Sequence, residues 1–147
     1  MSLMNGFPTV THAALGLVYD AVGTSATGVD KTKGWSITGG FEHVWTPQWK
    51  TSLYGAYGKF TYSDAASATL AAPLGGTAPG TSADWSLWQI GSRTVWTPVQ
   101  NLDLSLEVLY TDLNKSSFDG ATTATGVTLG SKSYVSGIFR VQRNFWP

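Results

Sequence analysis

The sequence predicts an all-β protein: an antiparallel transmembrane β-barrel with about six strands in this chain. Segments that alternate apolar and polar residues are 11 to 15 residues long, whereas strands of soluble proteins commonly have about 5–6. Charged residues make up only 12% of the 147 residues, about half the share of an ordinary soluble domain. Short turns also alternate with long connections along the chain. Such strands are long enough to cross a bilayer at a tilt.

Composition excludes several other classes of protein. There is no cysteine, so neither a disulfide framework nor a thiolate site is expected. The net charge is zero and the basic residues form no cluster, which argues against a nucleic-acid partner. No window approaches the ~18 apolar residues of a transmembrane helix. Residues 1–8 lack the basic and apolar regions of a signal peptide. We therefore expect either that the signal has been removed or that the chain belongs to a longer protein.

The first three predicted strands are residues 11–22, 34–46 and 49–63. The third is ambiguous because Tyr57 and Lys59 share one face, whereas an aromatic set occupies the other. The apolar face of the first strand carries Ala13, Leu15, Leu17 and Tyr19. The aromatic set of the third strand, on the face opposite Tyr57 and Lys59, is Tyr54, Phe60 and Tyr62.

The last three predicted strands, residues 85–97, 102–112 and 133–146, show the clearest period of two residues. Their apolar faces carry Trp88, Ile90 and Trp96; Leu102, Leu104, Leu106, Val108 and Tyr110; and Val135, Gly137, Phe139, Val141 and Phe145. Their polar faces carry Gln89, Gly91 and Arg93; Asp103, Ser105, Glu107 and Thr111; and Ser136, Arg140, Gln142 and Asn144.

The connections alternate in length. Val44-Trp-Thr-Pro47 recurs as Val95-Trp-Thr-Pro98, and proline cannot donate to a strand ladder. We therefore place both prolines in turns, the second within residues 97–101. Residues 23–33, 64–84 and 115–131 form long connections without periodicity. Tight turns at one rim and long loops at the other are typical of outer-membrane barrels. The chain is taken as one domain, residues 1–147; a strand meander in a soluble β-sandwich is the structural alternative.

Four stretches carry a family resemblance: residues 49–57, residues 87–94, the Trp-Thr-Pro turn together with Leu102-Asp-Leu104, and residues 139–147. They resemble the C-terminal part of alphaproteobacterial porins, in particular the rhizobial type, and the similarity runs from about residue 34 onward. The resemblance implies a barrel in the bacterial outer membrane, usually trimeric, that passes small hydrophilic solutes. Its barrel has 16 strands, whereas about six are predicted here. The expected partners are therefore outer-membrane lipid and either further copies of the chain or the missing part of the barrel.

The candidate site residues are predicted from the polar and apolar faces of the strands. In a wide barrel the polar face meets water and the apolar face meets lipid. Solvated or structurally paired charges, and ordinary core packing of the aromatics, are the alternatives. The residues predicted to line the pore are Arg93, Asp103, Glu107, Arg140 and Gln142. The predicted interfacial belt comprises Trp45, Trp49, Trp96, Phe145 and Trp146 near the short turns, and Tyr110, with Tyr19 and Tyr62, at the other end.

No enzymatic signature emerges from the sequence. His12 and His43 stand 31 residues apart without a carboxylate at ligand spacing, so we expect no metal site, no cofactor and no catalytic residue. The predicted function is passive diffusion of ions and small polar solutes. Two other functions stay open: a soluble aromatic-rich β-module that binds carbohydrate, and a non-conducting structural barrel.

Overall fold

The computed structural model describes residues 12–25, 28–75 and 81–145. The chain divides into two compact units, which are described separately. The loop unit comprises Met1–Lys33, Phe60–Trp85 and Lys115–Lys132, and the sheet unit comprises Gly34–Lys59, Ser86–Asn114 and Ser133–Pro147. The strands are β1 (His12–Ala13), β2 (Ala21–Thr24), β3 (Gly28–Lys31), β4 (Lys33–Thr46), β5 (Trp49–Thr61), β6 (Trp85–Val99), β7 (Leu102–Lys115), β8 (Thr128–Leu129) and β9 (Lys132–Arg143), with one helix, α1 (Asp64–Ala71).

The long strands form one sheet in the order β4-β5-β6-β7-β9. The Thr97 amide donates to the Gln48 carbonyl at 2.8 Å, joining the start of β5 to the end of β6. The Asn144 amide donates to the Asn101 carbonyl at 2.9 Å, joining the start of β7 to the end of β9. Neighbouring strands therefore run antiparallel, and the predicted all-β, antiparallel fold is confirmed. Among the described strands, β4 and β9 are edges, so these strands do not by themselves close a barrel.

The two Trp-Thr-Pro copies behave differently. Pro47 and Gln48 form the predicted turn, in which the Thr46 hydroxyl accepts from the Trp49 amide at 3.1 Å. The prediction for Pro98 is wrong, since β6 continues to Val99. The turn comes at Gln100 and Asn101 instead, because Asn101 adopts a positive φ of 68°, which asparagine tolerates.

The prediction of one continuous strand over residues 11–22 is also wrong. Only β1 and β2 are strands there; β1 pairs in parallel with β8, and β2 pairs with β3. Between them the Leu15 amide donates to the Ser116 hydroxyl at 2.8 Å, and the Leu17 amide to the Ser117 hydroxyl at 3.3 Å. Serine side chains thus take the place of a strand ladder. The described part of the chain has five long strands rather than six.

The loop unit has a buried hydrophobic core formed by Ala83, Phe118, Ala121 and Leu129, with Leu15 and Leu17 packed against it. Helix α1 lies in the stretch that the sequence predicts as a structureless connection. It begins at the N-cap Ser63, whose hydroxyl accepts from the Ala66 amide at 3.1 Å. A short 3₁₀ turn with a proline follows it. Nowhere in the described ranges is a helix both long and apolar enough to span a membrane.

Candidate functional site

Ring contacts and hydrogen bonds assign the two faces of the sheet. Trp49 stacks on Trp96 with ring centroids 5.4 Å apart, and Trp88 contacts Tyr110 at 5.1 Å. Because side chains alternate along a strand, each pair fixes the orientation of its neighbours. We call one side the aromatic face: Trp35, Trp45, Trp49, Tyr57, Trp88, Trp96, Tyr110 and Phe139. We call the other side the polar face: Glu42, Ser52, Tyr54, Gln89, Arg93, Thr97, Asp103, Glu107, Thr111, Arg140 and Gln142.

The aromatic face is exposed to an unusual degree. Trp45 is 64% exposed and Phe139 is 66% exposed, and Ile37, Leu53 and Leu106 are also exposed. Water would disfavour a continuous apolar surface of this kind, whereas hydrocarbon would not. The surface therefore fits a lipid environment.

The aromatic side chains gather toward both ends of the sheet strands. Trp45, Trp49 and Trp96 lie near the tight turns, where the Trp45 indole donates to the Thr51 hydroxyl at 3.1 Å. Trp88 and Tyr110 lie toward the opposite ends of β6 and β7. Eight residues separate Trp88 from Trp96, about 26 Å along a strand. With a tilt of roughly 35–45°, the two tryptophans span a height of about 18–21 Å, most of the ~25 Å height of an apolar barrel band.

The remaining predicted belt residues differ in placement. Phe145 is 83% exposed, and the Arg143 guanidinium lies 5.8 Å from its ring centroid. Trp146 lies outside the described residues. Tyr62 packs against the core of the loop unit, and its hydroxyl donates to the Leu17 carbonyl at 2.7 Å. The exposed Tyr19 donates its amide to that hydroxyl at 3.3 Å. The sequence-based belt omits Trp35, which contacts Tyr57 at 5.1 Å on the aromatic face.

Three of the five predicted pore residues lie together on the polar face of β6 and β7. The Thr97 hydroxyl donates to Asp103 Oδ1 at 2.5 Å, and the Gln89 amide group donates to the Thr111 hydroxyl at 3.1 Å. The same register, continued along both strands, pairs Arg93 with Glu107. The structure therefore brings Arg93, Asp103 and Glu107 onto one face.

The other two predicted pore residues lie on β9. Phe139 lines an apolar recess with Trp49, Trp96 and Leu104 on the aromatic face. The alternation of side chains turns Arg140 and Gln142 to the polar face. Gln142 donates its side-chain amide to Asn144 Oδ1 at 3.1 Å.

Tyr54 is a polar-face residue that sequence reasoning missed. Its hydroxyl donates to Glu107 Oε1 at 2.5 Å, although β6 lies between the two strands. The ring crosses β6 at Gly91, where an added Cβ would lie only 2.5 Å from the Tyr54 ring. A glycine on the polar face of β6 was the available signal, because glycine in a strand often marks a close approach by another group.

The charges of the polar face are unevenly satisfied. Arg93 Nε is buried without a hydrogen-bond partner, and Arg93 and Glu107 do not come within the 4.0 Å of an ion pair. Glu42, by contrast, lies 3.6 Å from Lys50 Nζ and accepts from the Ser52 hydroxyl at 2.9 Å. Among the described residues, no group of three or more metal-ligating side chains could hold an ion.

A sheet with an exposed aromatic face and a polar face of ionised residues has the two surfaces of a membrane-spanning β-protein. The comparison of the sequence with known families agrees with this class. A family model described as a porin subfamily matches residues 10–138, and the chain therefore belongs to that family. It is a porin-type channel protein of the bacterial outer membrane. No curated protein and no solved structure matched significantly.

Proposed function

We propose that this chain forms part of the wall of a water-filled channel for the passive diffusion of ions and small hydrophilic solutes. The supporting observation is the segregation of the sheet: most of its exposed aromatic side chains occupy one face, and most of its ionised and amide side chains occupy the other. Because fixed charges on a pore wall filter solutes by sign and size, passage requires no chemical reaction. The proposed pore-lining residues are Arg93, Asp103, Glu107, Arg140 and Gln142. The proposed interfacial belt is Trp45, Trp49, Trp96, Tyr110, Phe145 and Trp146.

The open edges β4 and β9 require additional strands in a membrane. Hydrocarbon cannot satisfy unpaired backbone amides and carbonyls, and single-chain outer-membrane barrels begin at eight strands. We propose that both edges pair with further porin strands, either from copies of this chain in a homo-oligomer or from the rest of a longer porin. In the second case this chain is the C-terminal portion, of the alphaproteobacterial type that residues 49–57, 87–94 and 139–147 resemble.

Light scattering of the detergent-solubilised particle distinguishes the two sources of strands. A discrete multiple of the 15.7 kDa chain, after subtraction of detergent, supports closure by copies. A monomer or a continuous spread of masses supports a portion of a longer porin.

Planar-bilayer recording of the purified chain tests the channel itself. We expect discrete, ohmic current steps in potassium chloride, and swelling of reconstituted liposomes in small sugars. The absence of both at every protein concentration would contradict a channel formed by this chain.

A charge reversal on β9 sharpens the test. Arg140→Glu should lower the anion-to-cation permeability ratio, because a negative charge replaces a positive one on the polar face. Arg143→Glu is the matched control, since residue 143 alternates to the opposite face and should leave the ratio unchanged. Equal effects of both variants would contradict the assignment of the polar face to the pore.

A further inference from the structure

Acidic side chains on the polar face share a common type of partner. Glu107 accepts from the Tyr54 hydroxyl at 2.5 Å, Asp103 from the Thr97 hydroxyl at 2.5 Å, and Glu42 from the Ser52 hydroxyl at 2.9 Å. A hydroxyl donor leaves the negative charge of the carboxylate in place but fixes where its oxygens point. The orientation of Glu107 is therefore set from β5, two strands away.

Arg93 is the cation that this orientation affects. Continued register places it opposite Glu107, the natural position for a cross-strand ion pair. No such pair forms within 4.0 Å, and Arg93 Nε has no hydrogen-bond partner. A carboxylate prefers to meet a guanidinium through two parallel hydrogen bonds. Tyr54 holds the Glu107 carboxylate in an orientation in which neither of its oxygens comes within 4.0 Å of the Arg93 guanidinium.

We propose that Tyr54 determines charge selectivity: by holding Glu107 across Gly91, it leaves the half-buried Arg93 without a carboxylate partner, so that the terminal nitrogens of its guanidinium can attract small anionic solutes such as halide, phosphate or carboxylate ions. This inference rests on the proposed channel function. Gly91 is the structural condition for it, because any side chain at that position would occupy the space of the Tyr54 ring.

The reversal potential across a potassium chloride gradient tests the role of the Tyr54 hydroxyl. Tyr54→Phe keeps the ring over Gly91 but frees Glu107 to pair with Arg93. We expect the chloride-to-potassium permeability ratio to fall about two- to fivefold, the range that an exposed ion pair spans. Tyr57→Phe is the matched control, because Tyr57 lies on the same strand but on the aromatic face. An unchanged ratio in Tyr54→Phe would overturn the proposal.

A double-mutant cycle shows whether Tyr54 acts through Glu107. In the Glu107→Gln background, Tyr54→Phe should have no further effect on the ratio, since the carboxylate that it controls is gone. An equal fall in both backgrounds would mean that Tyr54 acts by another route. Gly91→Ala should reproduce the Tyr54→Phe effect, because the new Cβ displaces the ring.

A second experiment measures the chemical accessibility of Arg93 and requires no ion current. Phenylglyoxal modification of the detergent-solubilised full chain, mapped by mass spectrometry, reports how free each arginine is. We expect Tyr54→Phe to slow modification of Arg93 about two- to fivefold, with Arg143 as the internal standard, and Glu107→Gln to remove this effect. Added phosphate should protect Arg93 in the unsubstituted chain. An equal modification rate of Arg93 in the unsubstituted chain and in Tyr54→Phe would refute the inference. If the expected changes in modification rate were found but no ion current, only the proposed channel would be contradicted.

Discussion

The loop unit and the sheet unit differ in where they place large apolar side chains. Phe118 in the loop unit is fully buried, at 0% exposure, against Ala83, Ala121 and Leu129. Phe139 in the sheet unit is 66% exposed. The same residue type therefore lies in a conventional protein core in one unit and on the outer surface in the other. We propose that the two units are built for different solvents: water around the loop unit and lipid against one face of the sheet.

Hydrogen bonding differs between the units in a related way. In the sheet unit, ladder bonds between neighbouring long strands satisfy the backbone of the three inner strands, β5, β6 and β7. In the loop unit, buried serine side chains do part of this work: the Ser117 hydroxyl donates to the Ala83 carbonyl at 2.8 Å, and the Ser116 hydroxyl to the Leu15 carbonyl at 3.0 Å. An aqueous unit can use irregular backbone of this kind, whereas a lipid-exposed segment cannot.

The largest expected effect comes from truncating the buried Phe118 of the loop unit. Phe118→Ala should destabilise the loop unit by about 3–5 kcal/mol, because it leaves a cavity in a packed core. Hydrogen exchange at the Gly120 amide, which is bonded to the Leu129 carbonyl, would measure this loss. Phe139→Ala is the matched control and should leave exchange at that amide unchanged. Comparable losses from both variants would remove the distinction between the units.

The second-largest expected effect on stability comes from placing a positive charge on the aromatic face of β6, compared with the same charge on the polar face. Ile90→Arg introduces a cation on the aromatic face, between Trp88 and the middle of the band, and should cost up to about 2–4 kcal/mol, the value that applies at the bilayer midplane. Gln89→Arg, one residue away on the polar face, should cost much less because water reaches it. Urea unfolding in lipid vesicles compares the two. If Gln89→Arg proved the more costly variant, the assignment of the faces would be inverted.

The smallest effect concerns the serine that replaces a strand ladder. Ser116→Ala removes the acceptor of the Leu15 amide, and a buried unsatisfied group costs about 1–3 kcal/mol. Ser131→Ala, at an exposed position of the same unit, should change stability by no more than about 0.5 kcal/mol. Exchange of the Leu15 amide should accelerate only in the first variant; no acceleration there would contradict the role given to Ser116.

The comparison also explains what the sequence could predict. Alternation assigns the faces of β6, β7 and β9 because a period of two residues survives even a shift of register by two. That tolerance matters here: Pro98 lies in the strand rather than in the predicted turn, yet Arg93 and Glu107 still share a face. The family resemblance likewise agrees with the porin subfamily match.

Alternation could not distinguish a strand from an irregular segment with the same pattern. Leu15 and Leu17 contact the loop core as an apolar face would, but Ser116 and Ser117, about 100 residues away, satisfy their backbone. The Tyr54–Glu107 contact was missed for a similar reason, since it depends on the register of three strands. Helix α1 could have been found from its N-cap serine, the acidic Asp64 and the alanine-rich run that follows.

Site-directed spin labelling of β7 tests most directly whether the two faces meet different solvents. The chain has no native cysteine, so single cysteines at residues 103 to 108 can each carry a nitroxide in the reconstituted protein. We predict a period of two residues: labels at 103, 105 and 107 collide mainly with a water-soluble nickel chelate, and labels at 104, 106 and 108 mainly with oxygen dissolved in lipid. Uniform accessibility, or the inverse alternation, would contradict the assignment of the polar face to water and the aromatic face to the membrane.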